Sequence, residues 1–263
     1  MSSTPAKQEP TKRFSSRVDN YVRFRPGYPP EILAFLKTDC GLTATSVVAD
    51  VGSGTGKLTE LFLANGNRVF GVEPNREMRE AGERILKGSA NFTSVNATAE
   101  ETTLPNGSVD FITAGQAFHW FDRKRCRAEF ARILKPGGWV ALVWNDRKTD
   151  AAPFLVEYEK LLQTYATDYS KVDHKQIDDA VVKEFFRYAP VKKSFPSLQE
   201  FDYEGLKGRL LSSSYAPEAG QRGHNEMLRD LEKLFEARQQ NGRVQFVYDT
   251  VVYCGKLDEP INA

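Results

Sequence analysis

Short β-branched runs alternate through the first half of the chain with longer stretches whose apolar residues recur three and four positions apart. The first period turns successive side chains to opposite faces of a strand, and the second gathers them on one face of a helix. Strands are predicted at Ser46 to Asp50, Arg68 to Val72, Phe92 to Val95, Val109 to Thr113 and Trp139 to Trp144. Helices are predicted between them at Lys57 to Asn65, Arg76 to Leu86 and Arg123 to Leu134. The last of these is followed by Lys135-Pro-Gly-Gly138, a turn that ends a helix and opens a strand. Strand and helix in regular succession, joined by right-handed crossovers, give an α/β fold: a doubly wound, mostly parallel sheet with helices on both faces.

After Asn145 the rhythm changes. Pro153 to Tyr169 and Asp178 to Tyr188 read as helices, Phe195 to Phe201 as extended, Tyr215 to about Gln240 as a further helix, and Arg243 to Cys254 as a long strand. These late strands have no core of their own, so they are expected to extend the first sheet to about seven strands, with the last one antiparallel. Residues 14–257 therefore read as one domain, in which 14–45 lead in, 46–145 form the core and 146–257 add cap helices and the last two strands. Residues 1–13 and 258–263 read as tails, the first of them disordered.

Composition narrows the function classes. With 36 Lys+Arg against 35 Asp+Glu, the formal net charge is +1, so no global field draws the chain to nucleic acid or to an anionic bilayer. No apolar run approaches the roughly 20 residues of a membrane helix, and the first residues lack a secretory pattern, which points to a cytoplasmic protein. Cys40, Cys126 and Cys254 are far apart in sequence and form no Cys-x-x-Cys pair, so they read as reduced core thiols. His119, His174 and His224 have no zinc-ligand spacing, and no metal site is expected. His174 and His224 lie in polar stretches and read as solvated.

The most informative segment is Val47-Val-Ala-Asp-Val-Gly-Ser-Gly-Thr-Gly-Lys-Leu-Thr59, between a strand and a helix. Glycines there let the backbone approach a ligand lying over the strand's carboxyl end, beside the free N–H groups of a helix N-terminus. A P-loop requires Ser or Thr after Gly56-Lys57 and a glycine five positions before Gly56; the chain has Leu58 and Val51. A dinucleotide fingerprint requires a third glycine at Lys57, where the bulk would obstruct close helix–strand approach. What remains is Asp-x-Gly-x-Gly-x-Gly, built from Asp50, Gly52, Gly54 and Gly56 and followed by an acid, Glu73, at the end of the next strand.

In this order of elements the chain resembles the class I S-adenosylmethionine-dependent methyltransferases, specifically the methyltransferase type 11 family, over about Phe14 to Leu257. The resemblance implies a Rossmann-like seven-stranded sheet and S-adenosylmethionine as cofactor. It places the two ribose hydroxyls at Glu73, adenine against Pro74 and Met78 near Thr98, Ala99 and Glu100, and the methionine ammonium near Asp50 and Gly52, with Ser53, Gly54 and Gly56 completing the loop. Many relatives carry Asp where Thr98 stands. Gln116 and Ala117 are implied to line the cofactor channel.

On the acceptor side, methyl transfer from a sulfonium is an in-line displacement in which alignment supplies on the order of 7–11 kcal/mol, so no nucleophilic residue is required. His119, after the fourth strand, is either a base or hydrogen-bond partner for the acceptor or a structural histidine that orients its loop. Trp120 and Phe118 either wall the acceptor pocket or pack under the sheet. Tyr21-Val-Arg-Phe-Arg-Pro-Gly-Tyr-Pro-Pro30 resembles the family's lid segment, which implies that Tyr21 and Tyr28 close the pocket while Arg25 meets the methionine carboxylate or an acidic acceptor; the alternative is a helix-capping arginine with packing tyrosines. Asn145, with Asp146 and Arg147, is a further candidate contact. Ser212-Ser-Ser-Tyr215 is similar to a pocket-closing segment. Gly115-Gln-Ala-Phe-His stands where amino-methylases of DNA bases carry Asn/Asp-Pro-Pro-Tyr/Phe, which disfavours that activity. The reading is thus methyl transfer to the oxygen, nitrogen or carboxylate of a small molecule by a monomer or homodimer. The alternatives are a protein or RNA acceptor, a nicotinamide- or flavin-dependent oxidoreductase, and a catalytically silent binding module.

Overall fold

In the computed structural model, which describes residues 17–167 and 178–257, seven strands form one sheet. The strands are β1 (Val47–Val51), β2 (Arg68–Val72), β3 (Phe92–Val95), β4 (Val109–Gly115), β5 (Leu134–Arg147), β6 (Val191–Phe201) and β7 (Val244–Gly255), in the order β3-β2-β1-β4-β5-β7-β6. The pairs β1–β2, β1–β4, β2–β3 and β4–β5 are parallel, and β7 runs antiparallel to both β5 and β6. The expected sheet, with its reversed last strand, is the one observed. The predicted tails and His174 fall outside the described residues.

Nine helices accompany the strands among the described residues: α1 (Val18–Phe24), α2 (Glu31–Cys40), α3 (Lys57–Ala64), α4 (Arg76–Ile85), α5 (Arg123–Ile133), α6 (Pro153–Tyr165), α7 (Asp179–Phe186), α8 (Tyr203–Leu211) and α9 (His224–Arg238). Local chemistry fixes several starts. The Asn75 side chain accepts from the Met78 N–H at α4, Asp122 from the Lys124 and Arg125 N–H groups at α5, and Asp202 from the Gly205 N–H at α8. Each satisfies donors that a helix N-terminus otherwise leaves orphaned. Pro153 opens α6, where its missing N–H costs nothing.

Three boundaries differ from the sequence pattern for physical reasons. Helix α5 passes directly into β5, because Leu134 already pairs with Val109; Trp139 is the next residue in register, opposite Phe111, and Lys135 to Gly138 bulge between them. Strand β6 begins at Val191 and includes Pro196, which an outer strand tolerates. The helix predicted from Tyr215 begins only at His224, after Gly223 at φ 87°, whereas α8 lies in a stretch with no predicted helix.

Both faces of the central sheet are packed. One buries Ile112, Phe118, Phe130, Leu142 and Phe185, and the other buries Ile32, Phe62, Val69, Phe111 and Val252. Cys40 and Cys254, distant in sequence, meet in the second layer with their sulfurs 3.1 Å apart, and all three cysteines are free and buried. A third cluster forms where β5, β6 and β7 run on beyond their neighbours. There α6, α8 and α9 cover Phe246, Tyr248 and Phe201. Phe246 is fully buried, with ring centroids of Tyr158, Phe154 and Phe201 at 4.9, 5.4 and 5.6 Å in edge-to-face contact. Truncation of this side chain to Phe246→Ala should cost about 3–5 kcal/mol of folding stability, readable in urea denaturation.

Candidate active site

Strand order reverses between β1 and β4, and helices leave the two strands toward opposite faces, so a crevice opens at their carboxyl ends. Its floor is the glycine loop. Gly52, Gly54 and Gly56 take φ values of 69°, 56° and 87°, which side-chain-bearing residues rarely adopt. Gly52 is required on a second count, since a Cβ there would lie 2.5 Å from the Ala117 Cβ in the loop after β4. In that second loop Gln116 itself holds φ 53°, with its backbone N–H bonded to the Val143 carbonyl at 2.9 Å and its side chain to the Asn145 carbonyl at 3.2 Å. A non-glycine residue kept there stores strain of about 1–3 kcal/mol, and here it shapes the cleft wall.

The cleft has two communicating halves that share Tyr21, Gly52, Gly54, Gly115, Gln116 and Trp120. The first is bordered by Glu73, Pro74, Met78, Thr98, Ala99, Glu100, Ala117 and Phe121. The second is bordered by Arg25, Tyr28, Asp50, Ser53, His119, Asn145 and Tyr215, together with residues that the sequence did not single out: Lys57, Thr149, Arg209 and Tyr248. The residues expected at the site border one of these halves, except Gly56, which caps α3 and packs against Leu86, and Phe118, Asp146, Ser212 and Ser213, which border neither. Phe118 is a correction to the pocket-wall option. It is fully buried in the core, 4.7 Å from the Phe185 ring centroid, while Trp120 alone of that pair reaches the cleft.

Glu73 is buried, and burial pushes its carboxyl upward. Opposing that, it accepts from the Asn75 N–H at 2.7 Å and the Gly54 N–H at 2.9 Å, one on each oxygen. A carboxylate has about four acceptor positions, so two remain for ligand donors such as a pair of vicinal hydroxyls. Asp50 accepts from Thr59 Oγ1 at 2.6 Å and Thr113 Oγ1 at 3.0 Å, yet burial still raises it to about 6. No Lys, Arg or His nitrogen lies within 4 Å of either carboxylate among the described residues. This is a cradle for a ligand that brings its own cation and hydroxyls.

The roof comes from the N-terminal segment. Helix α1 packs on α4 and α8, with Val18 and Tyr21 against Met78 and Ala81. The Tyr28 hydroxyl comes so close to Gly115 that a Cβ there would lie 2.5 Å from it. Lys57 donates to the Val22 carbonyl at 3.0 Å, and Asn145 donates to the Gly27 carbonyl at 3.0 Å while accepting from Thr250 Oγ1 at 2.6 Å. Arg25 donates through Nε to Ser212 Oγ at 3.0 Å and through Nη2 to the Ser212 carbonyl at 3.1 Å, and Arg17 holds the Ser213 and Ala216 carbonyls. The segment thus joins the core to the Ser212–Tyr215 stretch above the cleft. His119 sits on the single 3-10 turn Phe118–Trp120, its ring 4.8 Å from that of Trp120. Among the described residues no group of three or more His, Cys, Asp or Glu is placed to hold a metal, and no helix is long and apolar enough to cross a membrane.

Comparison with known proteins agrees with this geometry. Residues 49–142, from β1 into β5, match the family model described as a methyltransferase domain. An uncharacterized methyltransferase of Mycobacterium tuberculosis is 39% identical over 144 residues, which is 55% of this chain and 56% of that one, so the match spans just over half of that relative's length. An uncharacterized methyltransferase of Schizosaccharomyces pombe is 28% identical over 95% of this chain and 99% of its own. A Dictyostelium discoideum protein that also bears a methyltransferase name is 30% identical over 71% of this chain and 68% of its own. A solved structure from Anaeromyxobacter dehalogenans, described as a type II methyltransferase, shares the fold with a TM-score of 0.67 at 22% identity, covering 89% of this chain and 98% of that one. The chain belongs to the class I S-adenosylmethionine-dependent methyltransferase family, within the group defined by this methyltransferase domain.

Asp50 also carries a folding consequence. Its folded value of about 6 exceeds the free carboxyl's 3.8, so its favourable contribution is present below about pH 4 and is lost as the pH rises through 6. At neutral pH the buried charge costs on the order of 3 kcal/mol. Asp50→Asn should therefore raise the unfolding free energy of the ligand-free protein at pH 7.5 by about 1–3 kcal/mol. It should also flatten the stability profile between pH 4 and 7, which denaturant melts across that range will show.

Proposed function

We propose that this chain binds S-adenosylmethionine across the two halves of the cleft and transfers its methyl group to a small-molecule acceptor at oxygen, nitrogen or a carboxylate. The observation that carries this reading is the pair of buried carboxylates, Glu73 and Asp50, facing one crevice with acceptor positions to spare and, among the described residues, no cationic nitrogen within 4 Å of either. In this reading Glu73 accepts from both ribose hydroxyls, Met78 and Pro74 flank the adenine, and Asp50 faces the methionine ammonium. The cofactor supplies an activated methyl on a sulfonium. That methyl would be open to in-line displacement by an acceptor lone pair, with the sulfur as leaving group.

What the protein contributes is position. Tyr21, Tyr28 and Trp120 enclose the reacting region, and exclusion of water strengthens each charge interaction within it. His119 borders the acceptor half and is available as a hydrogen-bond partner there. The roof supports a small acceptor over a protein or RNA, because α1 and the Ser212–Tyr215 stretch are tied across the cleft by Arg25 and Arg17. Membership of the methyltransferase family sets the oxidoreductase alternative aside.

Calorimetry with S-adenosylhomocysteine tests the cofactor half, and binding in the micromolar range is expected. Glu73→Ala should weaken that binding by about 1.5–3 kcal/mol, the range for hydrogen bonds to a charged group. An unchanged dissociation constant in the folded variant would remove Glu73 from the ribose. For the acceptor half, incubation with methyl-labelled cofactor and a fractionated metabolite extract should place label in the low-molecular-weight fraction. Label confined to protein or RNA would overturn the small-molecule reading.

A further inference from the structure

The acceptor half of the cleft carries a buried cation with no carboxylate paired to it among the described residues. Arg209, on the cap helix α8, borders the cleft with only 6% of its surface exposed. A guanidinium has five N–H donors. Arg209 donates from Nη1 to Ser213 Oγ at 3.3 Å and is hydrogen-bonded with Tyr248, and its guanidinium carbon lies 5.9 Å from the Phe246 ring centroid, while its Nε is buried without a partner among the described residues. No carboxylate lies within 4 Å of it among the described residues. Arg147, on the same side of the cleft, differs in this respect, because Glu159 pairs with it at 2.6 Å and cancels its charge. Arg25 lies close enough to Arg209 for the two cations to repel.

An uncompensated buried cation is held at a large desolvation cost and is relieved when an anion enters. The surroundings select the kind of anion. Tyr215 and Tyr248 stand beside the guanidinium and Trp120 borders the same half, so the aromatic part of this wall suits a compact singly charged group on an apolar body. A cationic acceptor would meet repulsion from Arg25, Arg209 and the sulfonium together. Arg25, on the lid and bonded to Ser212, is the guanidinium available to the methionine carboxylate, which leaves Arg209 for the acceptor.

We infer that the methyl acceptor carries a carboxylate and that Arg209 is the residue that binds it. This rests on the reading that the neighbouring half of the cleft holds S-adenosylmethionine. Arg209 would then act as a specificity determinant, admitting small organic acids and discriminating against neutral and cationic molecules of the same shape.

The probes are hexanoate, 1-hexanol, hexylamine and hexyl phosphate, titrated calorimetrically into the full chain with and without saturating S-adenosylhomocysteine. Hexanoate should bind the loaded protein at least about tenfold more tightly than the other three, a difference of about 1.4 kcal/mol. Arg209→Gln should bring hexanoate down to the level of hexanol while leaving the affinity for S-adenosylhomocysteine within about twofold. Arg209→Lys, which keeps the charge, should retain part of the preference. No hexanoate binding, equal binding of hexanol or hexylamine, or a preference for hexyl phosphate would each overturn the inference. So would a variant that loses S-adenosylhomocysteine in step with hexanoate, since Arg209 would then belong to the cofactor. If S-adenosylhomocysteine itself fails to bind, the cofactor reading falls, while Arg209-dependent binding of hexanoate to the unloaded protein upholds the anion site on its own.

Discussion

Buried charge is expensive, and at the cleft this fold leaves some of it without counter-ions among the described residues. Asp50 and Glu73, at the ends of core strands, and Arg25 and Arg209, on the added elements, have no counter-ion within 4 Å among the described residues. Each is instead steadied by neutral groups: threonine hydroxyls at Asp50, backbone N–H groups at Glu73, and serines at Arg25 and Arg209. Such partners hold position without neutralising. Stability is therefore spent on a site that is complete only with a ligand carrying charges of both signs.

The rest of the architecture positions those four groups. The switch between β1 and β4 brings the Gly52 loop and the Gln116 loop together, and their contact at Ala117 is close enough that only glycine fits. Asp50 and Glu73 are set by strand ends, whose register is fixed by parallel pairing on both sides of β1 and on β2. The arginines arrive from elements remote in sequence. Arg25 follows the short helix α1, and Arg209 lies on a cap helix that packs over the extended ends of β5, β6 and β7. Rigid core chemistry at one half of the cleft and added elements at the other fit a division in which the core sets the cofactor and the additions set the acceptor.

The two halves differed in how far the sequence disclosed them. The core half could be read because its information is local. A glycine pattern directly after a β-branched run, and an acid at the end of the next strand, put Asp50, Gly52, Gly54 and Glu73 into the cleft without knowledge of packing. The cap half depends on contacts between distant segments. Arg209 sits in a helix that the apolar pattern did not reveal, although Asp202 three residues before Gly205 was a capping signal that could have located its start. Tyr248 reaches the cleft because β7 outruns β4, and Phe118 turns into the core because Phe185 and Trp144 line the space it fills. Cys40 and Cys254 are neighbours for the same reason, since α2 and β7 share one face of the sheet.

A crystal structure of the chain with S-adenosylhomocysteine tests the central claim most directly. Both ribose hydroxyls should lie within hydrogen-bond distance of the Glu73 carboxylate, with the amino group of the amino-acid end on the Asp50 side of the glycine loop. A nucleoside bound away from Glu73, with Asp50 still facing only Thr59 and Thr113, would contradict it.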